Sequence, residues 1–168
     1  WRDWSSDVCS SDLNDHVNKS QSTNDVYPTA LRLAVFYQLE QLLAVLEQIV
    51  ASIQAKAKEF QYVVKMGRTQ LQDAVPMTLG QEFRAFATLL KEDLKLIDNT
   101  RQLLLEINLG ATAIGTGVNT PKGYARETVQ ALKQITGLPL VGAEDYVEAT
   151  SDCGVFIILS STLKRLAV

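Results

Sequence analysis

"PTALRLAVFYQLEQLLAVLEQIVASIQAKAKEF", residues 28 to 60, is the stretch that decides the fold. Its apolar residues fall at Leu31, Val35, Leu39, Leu42, Leu46, Ile49, Ile53, Ala57 and Phe60. Every step is three or four residues, the period of one helix face. Pro28 suits a first helical turn, where its missing N–H is not needed. At about 1.5 Å per residue the stretch predicts a rod of roughly 50 Å. That is long for a globular helix and points to a bundle of long helices.

Working outward, a second rod is expected from about Thr78 to Asn108. Thr78 and Gln81 have capping-box spacing. Leu79, Phe83, Phe86, Leu90, Leu94, Ile97 and Leu104 carry the period onward, and Gly110 stands where a C-terminal cap glycine belongs. A shorter helix is expected over about Tyr124 to Thr136, with Val129, Leu132 and Ile135 inward and Gly137 ending it. The final helix has Val155, Leu159, Leu163 and Leu166 in register. Its last residues, "STLKRLAV", carry no stop signal, as in a piece of a longer protein. No strand alternation and no internal repeat is evident. The expected class is all-α, with long antiparallel helices.

The first thirteen residues, "WRDWSSDVCSSDL", have no helical or strand period and resemble translated sequencing-adapter residue. The other reading is a disordered tail. Either way the domain expected to fold is 14–168, a partial helical domain truncated at its C-terminus.

The totals exclude several function classes. The net charge of −3 supplies no basic field for nucleic acid or an anionic membrane. No run of eighteen apolar residues predicts a membrane span, and no secretory signal is visible. Cys9, Cys153 and the single His16 have no metal-ligand spacing, so reduced cytoplasmic thiols are expected. Cys153 reads as a packed small hydrophobe. Gly115 and Gly117 read as a tight turn, since no strand precedes them and the third glycine of a dinucleotide fingerprint is missing.

Three polar stretches break the helical rhythm: "NDHVNKSQSTND", "GRTQLQDAVP" and "NLGATAIGTGVNT". Any one alone reads as a solvated loop with helix-capping side chains. The sharper reading is that Ser22, Thr23, Asn24, Thr69 and Gln70 bind an anion. Each cluster stands ahead of a long helix, whose free N–H groups suit a carboxylate. In antiparallel rods these starts sit at opposite ends, so such a site needs a partner chain.

These segments, with "KMGRTQLQDAVPMTLGQEFRAF", "NLGATAIGTGVNTPK" and "AEDYVEATSDCG", resemble the aspartate ammonia-lyase (aspartase) branch of the aspartase/fumarase superfamily. The likeness runs from Asn14 to Val168. Fumarate hydratase is similar in the first two segments but typically has His where Gln70 stands.

The resemblance implies a central bundle of long helices, a homotetramer, and active sites each built from three chains. It implies reversible elimination of ammonia from L-aspartate to give fumarate, in the cytoplasm. No cofactor is required, although a divalent metal activates some members. Removing the proton beside the side-chain carboxylate builds a doubly negative aci-carboxylate that needs preorganised donors. By the resemblance, Ser22 and Thr23 bind that carboxylate, while Asn24, Thr69 and Gln70 hold the α-carboxylate and amino group. Gln70 is neutral and can only orient. Asn14 and Asp15 match a second, non-catalytic anion site of the fumarase branch. The family's general base is a serine on a Gly-Ser-Ser loop, followed by a Lys and an Asn, and it is expected beyond Val168. No catalytic residue is therefore assigned here, and the isolated chain is expected to be inactive. The competing readings are fumarate hydratase or another superfamily lyase, and a non-catalytic helical assembly protein.

Overall fold

The computed structural model describes residues 13–168. Apart from Leu13, the tail expected over 1–13 lies outside the described residues. The chain runs α1 (Thr23–Glu59), β1 (Val64–Thr69), β2 (Gln72–Thr78), α2 (Leu79–Leu103), β3 (Glu106–Ile107), α3 (Tyr124–Thr136), β4 (Val141–Gly142), α4 (Tyr146–Ser151) and α5 (Gly154–Ala167). A short π-helical turn, Leu13–Val17, precedes α1. The fold is predominantly helical, as expected, and divides into two compact units.

One unit joins Phe36–Leu103 to Gly154–Val168. Here α1 and α2 run antiparallel. Arg101, near the end of α2, reaches Glu40 at 3.1 Å and sits 4.9 Å from the Phe36 ring centroid. At the far end Phe60 meets Phe83, with centroids 5.5 Å apart. Helix α5 returns along α2, where Thr162 approaches Thr100 at 3.5 Å and Arg165 reaches Glu92 at 3.1 Å. Phe36, Leu39, Leu46, Val50, Ala87, Ile97, Val155 and Leu159 form the core.

The inward face differs in detail from the one the periodicity predicts. Ile49 of α1 and Phe86 of α2 are 42% and 49% exposed, while their neighbours Val50 and Ala87 are buried. Helix α1 has 37 residues, roughly 55 Å. Over that length a three-or-four step drifts around the axis, so one stripe cannot stay against one neighbour.

The predicted absence of strands is also corrected. Between α1 and α2 the chain forms a hairpin in which Val64 pairs with Thr78 and Thr69 with Gln72 across the turn. An irregularity at Gly67 interrupts the register, and Pro76 lies within β2. The bulge and the proline break the two-residue period, and both faces are largely exposed, so hydrophobic alternation never develops.

The other unit joins described residues up to Val35 to Leu104–Cys153. Strands β3 and β4 pair in parallel, Glu106 with Val141 and Ile107 with Gly142. Helix α3 spans the predicted residues, and Gly137 caps it at φ 69°, donating to the Lys133 carbonyl. Leu104, Leu105, Ile107, Ala111, Val129 and Leu140 are buried. Ile135, expected inward, is 81% exposed. Helix α2 stops at Leu103, so Gly110 does not cap it; the chain first passes through β3. Cys153 is an exposed free thiol rather than a packed one.

Helix α1 is, among the described residues, the one helix long and apolar enough by length and composition to cross a membrane. Arg32, Glu40 and Glu47 interrupt any unbroken apolar run within it. Asp25 and Arg32 are buried near its start, where protein rather than lipid surrounds them.

Candidate functional site

Helix α1 begins earlier than Pro28 suggests, because Ser22 caps it. The Ser22 hydroxyl oxygen accepts the Asn24 N–H at 3.2 Å, and Asp25 Oδ1 accepts the Ser22 N–H at 2.9 Å. This is a reciprocal capping box, with Asp25 in the place of Glu. Thr23 offers an N–H and a hydroxyl that have no hydrogen-bond partner among the described residues. A helix start of this kind presents donors and partial positive charge outward.

Asp25 is fully buried. Its other oxygen, Oδ2, accepts the N–H groups of Gly110 at 3.1 Å and Thr112 at 2.9 Å. The carboxylate therefore collects three backbone donors and ties the helix start to the loop after β3. Gly110 has φ 95°, and a Cβ there would come within 2.5 Å of the Ala125 Cα, so only glycine lets the loop close on α3. Burial, and then the negative charge of Asp25, push the Tyr124 phenol above the ordinary tyrosine value.

Asn108 makes a second tie. Pro28 has no N–H, so the Asn24 carbonyl lacks its usual donor four residues on. Asn108 Nδ2 supplies one at 3.0 Å. Asn108 Oδ1 accepts from the Thr29 hydroxyl, and Nδ2 also reaches Thr150 Oγ1, both at 3.5 Å. The carbonyl can only accept, which fixes the orientation of the Asn108 amide. The Asn24 side chain turns to the same loop and donates to the Ala113 carbonyl at 2.7 Å. It keeps one N–H and its oxygen for another partner.

Thr69 and Gln70 lie at the hairpin tip, in the other unit. The two central residues of the turn, Gln70 and Leu71, have φ 47° and 63°. This is the left-handed region, costly for residues other than Gly or Asn. Leu71 is fully exposed. Arg68 and Asp73 flank the turn as an exposed pair, 3.3 Å apart. The structure thus brings Ser22, Thr23 and Asn24 together on one helix start and Thr69 and Gln70 together on one turn, in separate units. Asp15 is exposed on the π-helical turn; the Asn14 side chain lies outside the described residues. A groove of about 460 Å³ between α3 and β4, lined by Val129, Leu140, Val141, Gly142 and Tyr146 among others, includes none of the candidate residues.

The model of a lyase family matches residues 7–168. The chain belongs to this lyase family. Aspartate ammonia-lyase of Escherichia coli K12 is 61% identical over 155 residues, covering 92% of this chain and 32% of that protein. Aspartate ammonia-lyase of Pseudomonas fluorescens is 57% identical over 156 residues, covering 92% and 33%. Among solved structures, a fumarate lyase:delta crystallin from Brucella melitensis bound to cobalt is similar with TM-score 0.89 and 50% identity, over 92% of this chain and 34% of that one. A recombinant class II fumarase from Schistosoma mansoni is similar with TM-score 0.88 and 32% identity, over 94% and 36%. The lyase chain spans about a third of the length of the curated relatives it matches.

Two residues of this lyase segment, Asp25 and Asn108, are missing from the set that sequence reasoning singled out. The signal for Asp25 was present: Ser22 and Asp25 have capping-box spacing, hidden once the helix start is put at Pro28. Asn108 opens one of the three polar stretches, but no spacing there tells it from its neighbours, since its partners at Asn24 and Thr150 lie 84 and 42 residues away.

Proposed function

We propose that this chain is a segment of an aspartate ammonia-lyase, which reversibly eliminates ammonia from L-aspartate to give fumarate. The observation that carries the reading is the start of α1. Ser22 and Thr23 sit on a capped helix end with outward donors, held by a fully buried carboxylate, in a chain 61% identical to an enzyme of that name.

In this reading Ser22 and Thr23 take the substrate's β-carboxylate. Proton loss beside that group leaves an aci-carboxylate, and donors fixed before the reaction stabilise its second charge. Asn24, Thr69 and Gln70 hold the α-carboxylate and the amino group. The amide of Asn24 enters already oriented by Ala113. By the resemblance the complete site draws on more than one chain, and we assign the whole enzyme as a homotetramer. Exposed apolar residues on α1 (Tyr37, Val45), α2 (Leu89) and α5 (Ile157) support that assembly. The serine base that the resemblance implies belongs to the remainder of the enzyme. Asn14 and Asp15 are assigned a second, non-catalytic anion site.

The elimination needs no cofactor in this reading. Among the described residues no group of three His, Cys, Asp or Glu side chains is arranged to hold a metal ion, and no step is routed through one. We place the enzyme in the cytoplasm, which suits the exposed free thiol of Cys153.

The test replaces the matching third of the Escherichia coli relative with residues 14–168 of this chain. Ammonia release from L-aspartate is expected, with Ser22→Ala and Thr69→Ala each lowering kcat/KM by about a hundredfold or more. A hybrid that hydrates fumarate and ignores ammonia would make the chain a fumarate hydratase segment. The 168-residue chain alone is expected to be silent. Fumarate formed by it from L-aspartate would put a base within these residues.

A further inference from the structure

We propose that Asn108 is a positioning residue for the substrate carboxylate, acting by anchoring the Ser22–Asn24 turn to the loop after β3. The inference rests on the reading above and names a residue to which that reading assigns no part. Its ground is a matched defect and filler. Pro28 removes the N–H that would close the first helical turn onto the Asn24 carbonyl, and a residue on a distant loop supplies the donor at 3.0 Å. An ordinary helical residue at position 28 would satisfy that carbonyl locally, with no link to the loop. The proline therefore exchanges a bond within the helix for a bond across the unit.

The exchange acts on the segment that faces the substrate. Asn24 is held on both sides, by Asn108 through its carbonyl and by Ala113 through its amide. Asp25, the next residue, accepts from Ser22 on one side and from Gly110 and Thr112 on the other. Asn108 and Asp25 are almost wholly buried, so neither meets the substrate. Their effect passes through Ser22, Thr23 and Asn24. Rotation of the helix start by a fraction of a turn would move the Ser22 and Thr23 donors off the carboxylate, and misplacement near 1 Å costs about a hundredfold in rate.

Asn108→Ala alone confounds positioning with stability, because it leaves the part-buried Asn24 carbonyl without its donor and the buried Thr29 hydroxyl without its acceptor. Adding Pro28→Ala separates them, since it restores a helical N–H to the Asn24 carbonyl but not the tie to the loop. The experiment measures steady-state kinetics and thermal midpoint of the hybrid enzyme bearing Asn108→Ala, Pro28→Ala, and both. Asn108→Ala is expected to lower the midpoint by roughly 5 °C and lower kcat/KM for L-aspartate by about tenfold or more. The double variant is expected to recover the midpoint while kcat/KM stays lowered. Recovery of both would make Asn108 a structural filler and overturn the proposal, as would an unchanged kcat/KM in a folded Asn108→Ala. Amide hydrogen exchange on the 168-residue double variant gives a reading independent of turnover. The Ser22, Gly110 and Thr112 N–H groups are expected to exchange faster together, and unchanged protection would count against the tie. Failure of the proposed function looks different: Ser22→Ala would then leave turnover intact in the hybrid, whatever Asn108 does.

Discussion

Arg165 Nε on α5 lies 2.9 Å from Asp93 Oδ1 on α2, and the two side chains differ sharply in exposure, 47% against 8%. The contact is an ion pair whose direction falls short of a hydrogen bond, which leaves that oxygen without a hydrogen-bond donor. Arg165 also reaches Glu92 at 3.1 Å. Replacing Arg165 by Met keeps most of the stem but strands the buried carboxylate. We expect a loss of about 2 kcal/mol in urea unfolding, below the range for fully buried pairs because Arg165 is half in solvent. Asp93→Asn in the Arg165→Met background should recover most of it. Equal losses in the single and double variants would mean that the pair contributes nothing through charge.

The start of α2 offers a cleaner test of local chemistry. Gln81 N–H donates to Thr78 Oγ1 at 3.2 Å, and Gln81 Oε1 accepts the Thr78 N–H at 2.8 Å. Thr78→Ala removes the acceptor and should cost about 1 kcal/mol. Thr78→Ser should stay close to the parent. Thermal midpoints of the three chains decide it.

The hairpin tip gains from the opposite change. Leu71 makes a fully exposed side chain adopt φ 63°. Leu71→Gly relieves the clash of Cβ with the backbone and should stabilise the chain by about 1 kcal/mol, less the entropy glycine brings to the unfolded state. Gln70→Ala keeps its strain and should leave stability within about 0.5 kcal/mol, while raising KM in the hybrid enzyme. A stable chain with normal KM after Gln70→Ala would remove that residue from the site.

Tyr124 gives the alkaline limb of stability. Its phenol is raised above 10.0 by burial first and by Asp25 second. The folded chain therefore holds that proton more tightly than the unfolded one. Stability should be constant below the ordinary tyrosine value and fall as pH rises from there through the raised folded value. Tyr124→Phe should flatten that fall in unfolding measurements taken across the window. Tyr146, raised by burial, contributes in the same direction and leaves a residual slope.

What the sequence determined by itself follows from local chemistry. The period of residues 28–60 specifies a helix whatever lies beside it, the Thr78–Gln81 spacing specifies a cap, and Gly137 specifies a stop. The recognisable segments around Ser22 and Thr69 carried the candidate anion ligands for the same reason: their residue types and order are written along the chain. Tertiary structure alone decided which side of each rod is inward, because Ile49 and Val50 are equally apolar and only a neighbour tells them apart. It also decided the hairpin, whose strands hold together through backbone pairing across a turn and show no alternating face. Above all it decided the Asn24–Asn108 bond. Pro28 announces a missing donor, but which of the distant polar side chains supplies it depends on a loop folding back across 84 residues, and no local spacing encodes that return.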